Sequence, residues 1–138
     1  MKYSLTINQL PVPQARPRVT QWGTYDPKYK EKKKYKAEIN KKWLYLPCTE
    51  GLELNVVIVL PIPRSYGRRK ICAIEENDYI HVIKPDASNF LKFIEDCMTG
   101  IVYKDDSQIY YLQARKKYGE NPRLDIDIET KEKLKIRY

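Results

Sequence analysis

The sequence predicts an α+β fold: a small mixed β-sheet with two main helices, in a single domain over residues 1–138. Two observations lead to it. Segments of strand-like alternation or β-branched composition lie at both ends and in the middle of the chain, and two segments between them have helical spacing. With 138 residues, 42% of them hydrophobic, the chain is long enough for one compact core and too short for two comfortable ones.

Four segments are predicted as strands. Residues 3–10 alternate apolar and polar side chains, and "LELNVVIVLPIP" at 52–63 is β-branched and closed by prolines. Residues 107–119 and 123–131 follow, joined by a turn that contains Gly119 and Pro122. Between the first strand and the first helix, residues 11–27 hold four prolines and a glycine, which predicts an extended loop or a loosely paired ribbon.

The first helix is predicted over residues 27–45, after the Asp26–Pro27 pair. Tyr35, Ile39 and Trp43, with Lys32, form its apolar stripe. Eight lysines and only two glutamates lie between 28 and 42, so its other face is either solvated or a phosphate-binding surface.

The second helix is predicted over residues 88–99. Asp86 or Ser88 can cap it, and Gly100 follows where a left-handed residue is expected. Lys92 and Asp96 are one turn apart on its polar face and could form an ion pair.

A basic loop is predicted between the central strand and the second helix. It holds Arg64, Arg68, Arg69 and Lys70 around Gly67. A short strand, "YIHVI", is predicted at 79–83, leading into the next motif. His81 is predicted to be structural rather than catalytic. With Arg16 and Arg18 in the proline-rich segment, these are the candidate DNA-binding residues, although a merely solvated loop has the same composition.

Charge and cysteine content narrow the class of protein. The net charge of +8 favours a polyanionic partner, nucleic acid above all. Three cysteines without a CxxC pair argue against a zinc site and a disulfide framework, and they fit a reducing cytoplasm. The N-terminal residues lack the apolar region of a signal peptide, and the longest apolar run is too short to span a membrane.

The carboxylates of "KPDASNFLKFIEDCMTGIVYKDDSQ" suggest a metal site inside this basic chain. If the turn after the helix brings Asp105 and Asp106 back to Asp86, the carboxylates repel one another unless a cation intervenes. A hard divalent ion with a nearby lysine, Lys92, would suit phosphodiester cleavage. The plain alternative is that Asp86 is a helix cap and Asp105–Asp106 a turn before a strand.

The same stretch resembles the signature of the RusA family of Holliday junction resolvases: K-P-D-x-D-N-x-x-K, a helix with an aspartate, and D-D-[SA]-Q-[IV]. The "RPR" near the N-terminus, the "YDP" before the basic helix and the late "KKYGENPRLDIDI" also fit. The resemblance implies a small homodimeric α+β endonuclease that uses Mg²⁺ or Mn²⁺ to place paired symmetric nicks in four-way DNA junctions. It is implied to be of phage or prophage type.

By this resemblance, Asp86, Lys92 and Asp106 match catalytic residues of the family. Asp86 and Asp106 match two of its three metal-binding aspartates, and the third position is occupied by Ser88. Serine is a neutral and weaker ligand, so Asp105, or else Asp96, is the candidate to complete the site. Two other functions remain: a junction-binding protein with reduced or lost catalysis, and a metal-dependent nuclease that acts on flaps or forks.

Overall fold

The computed structural model describes residues 1–76 and 79–138 as a mixed α+β domain. In chain order its elements are β1 (Lys2–Ile7), β2 (Arg18–Thr20), β3 (Gly23–Tyr25), α1 (Tyr29–Lys42), β4 (Leu52–Pro61), α2 (Arg68–Glu75), α3 (Ala87–Met98), β5 (Ile109–Gly119) and β6 (Arg123–Thr130). A 3₁₀ turn, Asp106–Gln108, leads into β5.

The main sheet has the strand order β1-β6-β4-β5. Strand β5 runs parallel to β4, whereas β6 is antiparallel to both β4 and β1, so the sheet is mixed as predicted. The long connection from β4 to β5 contains α3, which is how a parallel pair is normally joined. This connection places the carboxyl end of α3 and the start of β5 next to each other.

One face of the sheet is covered by α1 and α3. Alternate residues of β1, β4 and β6 point into a single core, where Leu54, Val56 and Ile126 meet side chains of both helices. Tyr35 of α1 packs edge-to-face on Phe93 of α3 at a centroid distance of 5.0 Å. The opposite face carries polar residues and faces solvent, which is usual for a sheet of mainly antiparallel strands.

The helix predictions are confirmed for α1 and α3, with their ends shifted by one to three residues. Tyr35, Ile39 and Trp43 are buried as predicted. Gly100 has a φ of 87° and ends α3 in the left-handed conformation. The proline-rich segment contains the antiparallel hairpin β2–β3, which is the loosely paired ribbon among the two predicted alternatives.

The prediction of a basic loop over residues 64–70 is wrong in part, because Arg68, Arg69 and Lys70 form the first turn of α2. The described residues therefore include three helices rather than two. Helix α2 is only two turns long and buries Ile74 alone, so its sequence offers little periodic signal. The predicted strand at residues 79–83 is wrong, because none of these residues is in a strand. His81 is nevertheless buried, with its ring 4.7 Å from that of Tyr118. Residues 77 and 78, just before it, lie outside the described ranges.

The C-terminal tail packs back on the domain. Leu134 is buried, and Arg137 donates its backbone N–H to Leu44 O at 2.7 Å, just beyond α1. Cys48, Cys72 and Cys97 are all free. Among the described residues, none of the helices has both the length and the apolar character needed to cross a membrane.

Candidate active site

Asp86 is the N-cap residue of α3, and its backbone is extended. Its carboxylate makes no capping hydrogen bond within the described chain, and the residue is exposed. Lys116 of β5 fixes the preceding segment by donating to Ile83 O at 2.7 Å and Pro85 O at 3.0 Å. The segment is therefore held by its backbone while the carboxylate of Asp86 stays available for a ligand.

Ser88 and Lys92 follow on the exposed side of α3. They are four residues apart, so they lie one above the other on the helix surface. The predicted ion pair between Lys92 and Asp96 is wrong: in the described structure Lys92 forms no ion pair, and Asp96 binds other residues. The Lys92 ammonium is thus uncommitted.

Asp105 and Asp106 begin the 3₁₀ turn, and Gln108 holds that turn in place. The Asp105 side chain accepts a hydrogen bond from Ser107 N at 3.4 Å, while Asp105 N donates to Gln108 Oε1 at 2.8 Å, a reciprocal capping box. Gln108 Nε2 donates to Cys48 O and Glu50 O, both at 2.9 Å. A single amide therefore ties the acidic turn to the loop before β4.

The carboxylates of Asp105 and Asp106 are adjacent in the chain and affect each other's ionisation. Their interaction lowers the pKa of Asp105 and raises the pKa of Asp106. The pKa of Asp106 is raised further by desolvation and by the negative charges of Asp105 and Asp96. Two adjacent carboxylates that perturb each other in this way are a donor set to which a hard cation is suited.

Asp96 belongs to a separate ion-pair network that connects α3 to α1. Its Oδ2 accepts from Lys32 Nζ at 3.2 Å and from Gln14 Nε2 at 2.8 Å, and Lys32 Nζ also binds Asp26 Oδ2 at 2.6 Å. Burial would lower the pKa of Lys32, but the hydrogen bonds to Asp26 and Asp96 outweigh it and leave that pKa raised. The hydrogen bond from Lys32 lowers the pKa of Asp26.

Sequence reasoning missed three contributions to this region: the contact of Gln108 with the loop before β4, Lys32 as an ion-pair partner, and Glu95. Burial raises the pKa of Glu95, and the charges of Asp106 and Asp96 raise it further, while Lys92 opposes them. Glu95 is thus close enough to Asp106 for the charge of Asp106 to raise the pKa of Glu95. A lysine on the apolar stripe of α1 was the one sequence signal that could have indicated a carboxylate partner for that residue.

An open cleft of about 510 Å³ lies between α1 and the acidic turn. Lys32, Lys33 and Lys36 line it from α1, and Asp96 and Asp106 line it from the other side. The cleft therefore juxtaposes Asp106 with a row of cations that is suited to phosphate oxygens.

The predicted metal ligands are not gathered into one tight group. Within residues 1–76 and 79–138, no three histidine, cysteine or acidic side chains are placed together as a metal-ion site. The adjacent carboxylates of Asp105 and Asp106 and the uncommitted carboxylate of Asp86 nonetheless have the chemistry that Mg²⁺ requires, which is hard oxygen ligands with room for water.

The candidate DNA-binding residues are exposed at two separate places in the sequence. Arg16 and Arg18 flank Pro17 at the start of the β2–β3 hairpin, and Arg64 precedes α2. Arg68, Arg69 and Lys70 occupy the first turn of α2, where the helix dipole disfavours cations. A bound anion such as a phosphate would relieve that repulsion.

The sequence profile of the endodeoxyribonuclease RusA family matches residues 9–129, nearly the whole of the fold described above. The chain belongs to this family. The match includes Arg16 and Arg18, helices α1 and α3, and the acidic turn. The resemblance of the "KPDASNFLK" and "DDSQI" stretches to the RusA signature is therefore confirmed at the level of the family.

Two curated relatives of this RusA-family chain match over shorter stretches. The uncharacterized protein YqaN of Bacillus subtilis (strain 168) is 32% identical over 82 residues, which is 58% of each chain. The crossover junction endodeoxyribonuclease rusA of Lactococcus phage r1t is 44% identical over 46 residues, 33% of this chain and 35% of the phage protein. The chain thus spans less than two thirds of either relative.

Proposed function

We propose that this RusA-family chain is a metal-dependent endonuclease that resolves Holliday junctions and related branched DNA by paired symmetric nicks. The observation that carries the proposal is the Asp105–Asp106 carboxylate pair facing the lysines of α1 across an open cleft. The phage relative, whose name describes a crossover junction endodeoxyribonuclease, supports the choice of substrate. We place the reaction in the cytoplasm of a bacterial or phage-infected cell.

In this proposal Asp86 and Asp106 hold Mg²⁺, for which Mn²⁺ can substitute. Asp105 is the additional carboxylate, and Ser88 contributes weakly or through water. The ion would activate a water molecule and neutralise charge on the scissile phosphate. The ammonium of Lys92 is exposed and uncommitted, so it can approach the phosphate and offset the charge that develops there.

Substrate binding is assigned to the basic surfaces. Arg16, Arg18, Arg64, Arg68, Arg69 and Lys70 are all exposed, and they hold phosphates by charge rather than by base identity. Lys32, Lys33 and Lys36 line the same cleft as Asp106, and the bound ion would cancel much of the charge of the acidic pair. Each lost cation should therefore weaken junction binding and reduce its dependence on salt.

A homodimer is the second part of the proposal. Paired symmetric nicks need two active sites, and a two-fold axis is the simplest way to supply them. Strand β5 is at an edge of the main sheet and exposes Tyr110, Tyr111 and Leu112, which offers unpaired backbone and apolar area to a second copy. Sedimentation of the protein at micromolar concentration should give a dimer; a monomer both with and without DNA would contradict this.

The alternative function is a structure-selective DNA-binding protein whose catalysis is reduced or lost. It is favoured by one observation, the exposed Ser88 where the family resemblance implies a third metal-binding aspartate. The basic surfaces would be retained under either function, so binding alone does not distinguish them.

A labelled mobile four-way junction tests the proposal. Purified protein should nick it in Mg²⁺ and in Mn²⁺, at paired symmetric positions, and a chelator should stop the reaction. A flap and a replication fork in parallel reactions measure substrate preference. Junction binding without cleavage at any metal concentration would leave the binding-protein function, and chelator-resistant cleavage would contradict the metal site.

A further inference from the structure

The β2–β3 hairpin projects from the domain as a separate arm. It pairs only Arg18–Thr20 with Gly23–Tyr25 and forms its own two-stranded sheet apart from the main one. All residues of both strands are exposed, including Val19 at 80%. We refer to residues 15–27 as the arm.

The tip of the arm presents a tryptophan to solvent. The two-residue turn is Gln21–Trp22, and Trp22 is 89% exposed. The turn is held without its ring: Trp22 N donates to Thr20 Oγ1 at 3.2 Å, Thr20 Oγ1 donates to Gly23 O at 3.1 Å, and Gly23 takes a φ of 127°. The indole therefore contributes little to the fold and is available for a partner.

Both ends of the arm are anchored at the candidate active site. Before it, Gln14 N donates to Asn89 O of α3 at 3.0 Å and Gln14 Nε2 donates to Asp96 Oδ2 at 2.8 Å. At its end, Asp26 binds Lys32, and Lys32 binds the same oxygen of Asp96. The arm thus starts and ends at the wall of the cleft that contains Asp106.

The charge of the arm matches a polyanion. Arg16 and Arg18 are exposed, and its single acidic residue, Asp26, is already paired with Lys32. An aromatic tip on a cationic stem is the combination that holds unstacked nucleotides, because phosphates bind the cations and any base can stack on the ring.

We propose that Trp22 stacks on a nucleobase at the branch point of the DNA, so that the arm recognises branched rather than continuous duplex. This inference rests on the proposed function for the identity of the substrate. A duplex has stacked base pairs throughout and presents no free base face within it, whereas a junction interrupts the stack at the strand exchange.

Tryptophan fluorescence tests the contact directly, since the chain has two tryptophans and the other, Trp43, is 2% exposed in the core. In a chelator, so that no cleavage occurs, titration with a four-way junction should quench the emission of the wild type. The same titration of Trp22→Phe, which keeps only the buried Trp43, should give no quenching. An equal signal change in both proteins, or none in the wild type at saturating junction, would overturn the proposal.

Binding measurements under the same conditions test the energetic role. Trp22→Ala should weaken junction binding by about 5- to 100-fold and leave binding to continuous duplex nearly unchanged, the loss expected for one stacked base. Trp22→Phe should retain most of the affinity. The control is Tyr138→Ala, which removes another fully exposed aromatic ring and should bind like the wild type. If Trp22→Ala loses affinity for junction and duplex alike, the assignment is overturned. It is also overturned if the substitution changes sedimentation without changing DNA affinity, because Trp22 would then contact a second copy of the chain.

These results are independent of catalysis. If the protein shows selective quenching and selective binding but never cleaves, junction recognition by Trp22 is supported and the proposed endonuclease activity is contradicted. If it cleaves without any contribution from Trp22, the endonuclease activity is supported and recognition by Trp22 is contradicted.

Discussion

The two ends of α3 differ in how their aspartates are bound. At its start, Asp86 and Ser88 are exposed, and the Asp86 carboxylate makes no capping hydrogen bond. Near its end, Asp96 is bound by Lys32 and Gln14. Asp106 lies beside Asp96 but is paired with another carboxylate rather than with a cation. Neighbouring aspartates on one surface therefore have different partners. A carboxylate with cationic partners stabilises the fold, and one that is left free or paired with its like is available to a metal ion.

Among variants that keep every aspartate of the site, the largest effect is expected from Gln108→Glu. The new carboxylate can still accept from Asp105 N, but it cannot donate to Cys48 O and Glu50 O and it repels both carbonyls. Displacement of the acidic turn should lower the cleavage rate by about 10- to 100-fold. The measurement is the initial rate at saturating Mg²⁺ together with the junction dissociation constant.

The matched control for that substitution is Gln113→Glu, an exposed glutamine in the middle of β5, on the solvent-facing side of the sheet. It adds the same charge and should retain the wild-type rate. Equal losses in the two variants would mean that added charge, rather than the position of the turn, determines the effect.

A smaller effect is expected from Lys32→Met, which removes the cation shared by Asp26 and Asp96. The free energy of unfolding should fall by about 1–2 kcal/mol at neutral pH, because two hydrogen-bonded charges lose their partner. Lys33→Met, on the exposed side of α1, should cost much less. Chemical denaturation of both variants provides the measurement, and equal stability of the two would show that the network does not stabilise the fold.

The pH dependence of that difference follows from Asp26, whose folded pKa is lowered by Lys32 from an ordinary value of 3.8. Because the folded-state pKa of Asp26 is lowered, the stabilisation from its pair with Lys32 is fully present above pH 3.8. That stabilisation is lost as the pH falls through the folded-state pKa of Asp26. The stability gap between wild type and Lys32→Met should therefore narrow in strongly acidic solution. A constant gap down to the lowest pH at which both remain folded would contradict the assignment.

The smallest effect is expected from Ser88→Asp. Asp96 is bound to Lys32 and Gln14, so it is not free to move toward Ser88, and Asp105 is the one additional carboxylate of the proposed site. A charged hard ligand in place of a neutral one should then lower, by several-fold, the Mg²⁺ concentration that gives half-maximal cleavage. No gain, or slower cleavage, in a Mg²⁺ titration would indicate that another carboxylate already completes the site and is crowded by the new one.

The sequence predicted the elements whose periodicity is long and regular. The stripe Tyr35, Ile39 and Trp43 located the buried face of α1, and Gly100 located the end of α3. Helix α2 was missed because two turns with one buried residue have almost no periodic signal. The motif indicated which aspartates belong to the site through the family resemblance, but spacing alone could not separate them from a cap and a turn.

The contacts that distinguish the aspartates could not be predicted, because they depend on residues far away in the chain. Asp96 is bound by Lys32 and Gln14, 64 and 82 residues earlier, and Gln108 contacts Cys48 and Glu50 across 60 and 58 residues. Local pattern predicted an ion pair between Lys92 and Asp96 instead. Tertiary packing replaced it, because Lys32 lies on the face of α1 that packs against α3.

A paired measurement on Asp106→Asn and Asp96→Asn tests the division between metal-binding and structural aspartates most directly. Asp106→Asn should cut cleavage by at least about 100-fold while junction binding is kept, and its melting temperature without metal should equal or exceed that of the wild type, since repulsion from Asp105 is relieved. Asp96→Asn should melt at a lower temperature and still cleave. The account is contradicted if Asp106→Asn cleaves normally, or if Asp96→Asn loses cleavage with unchanged stability.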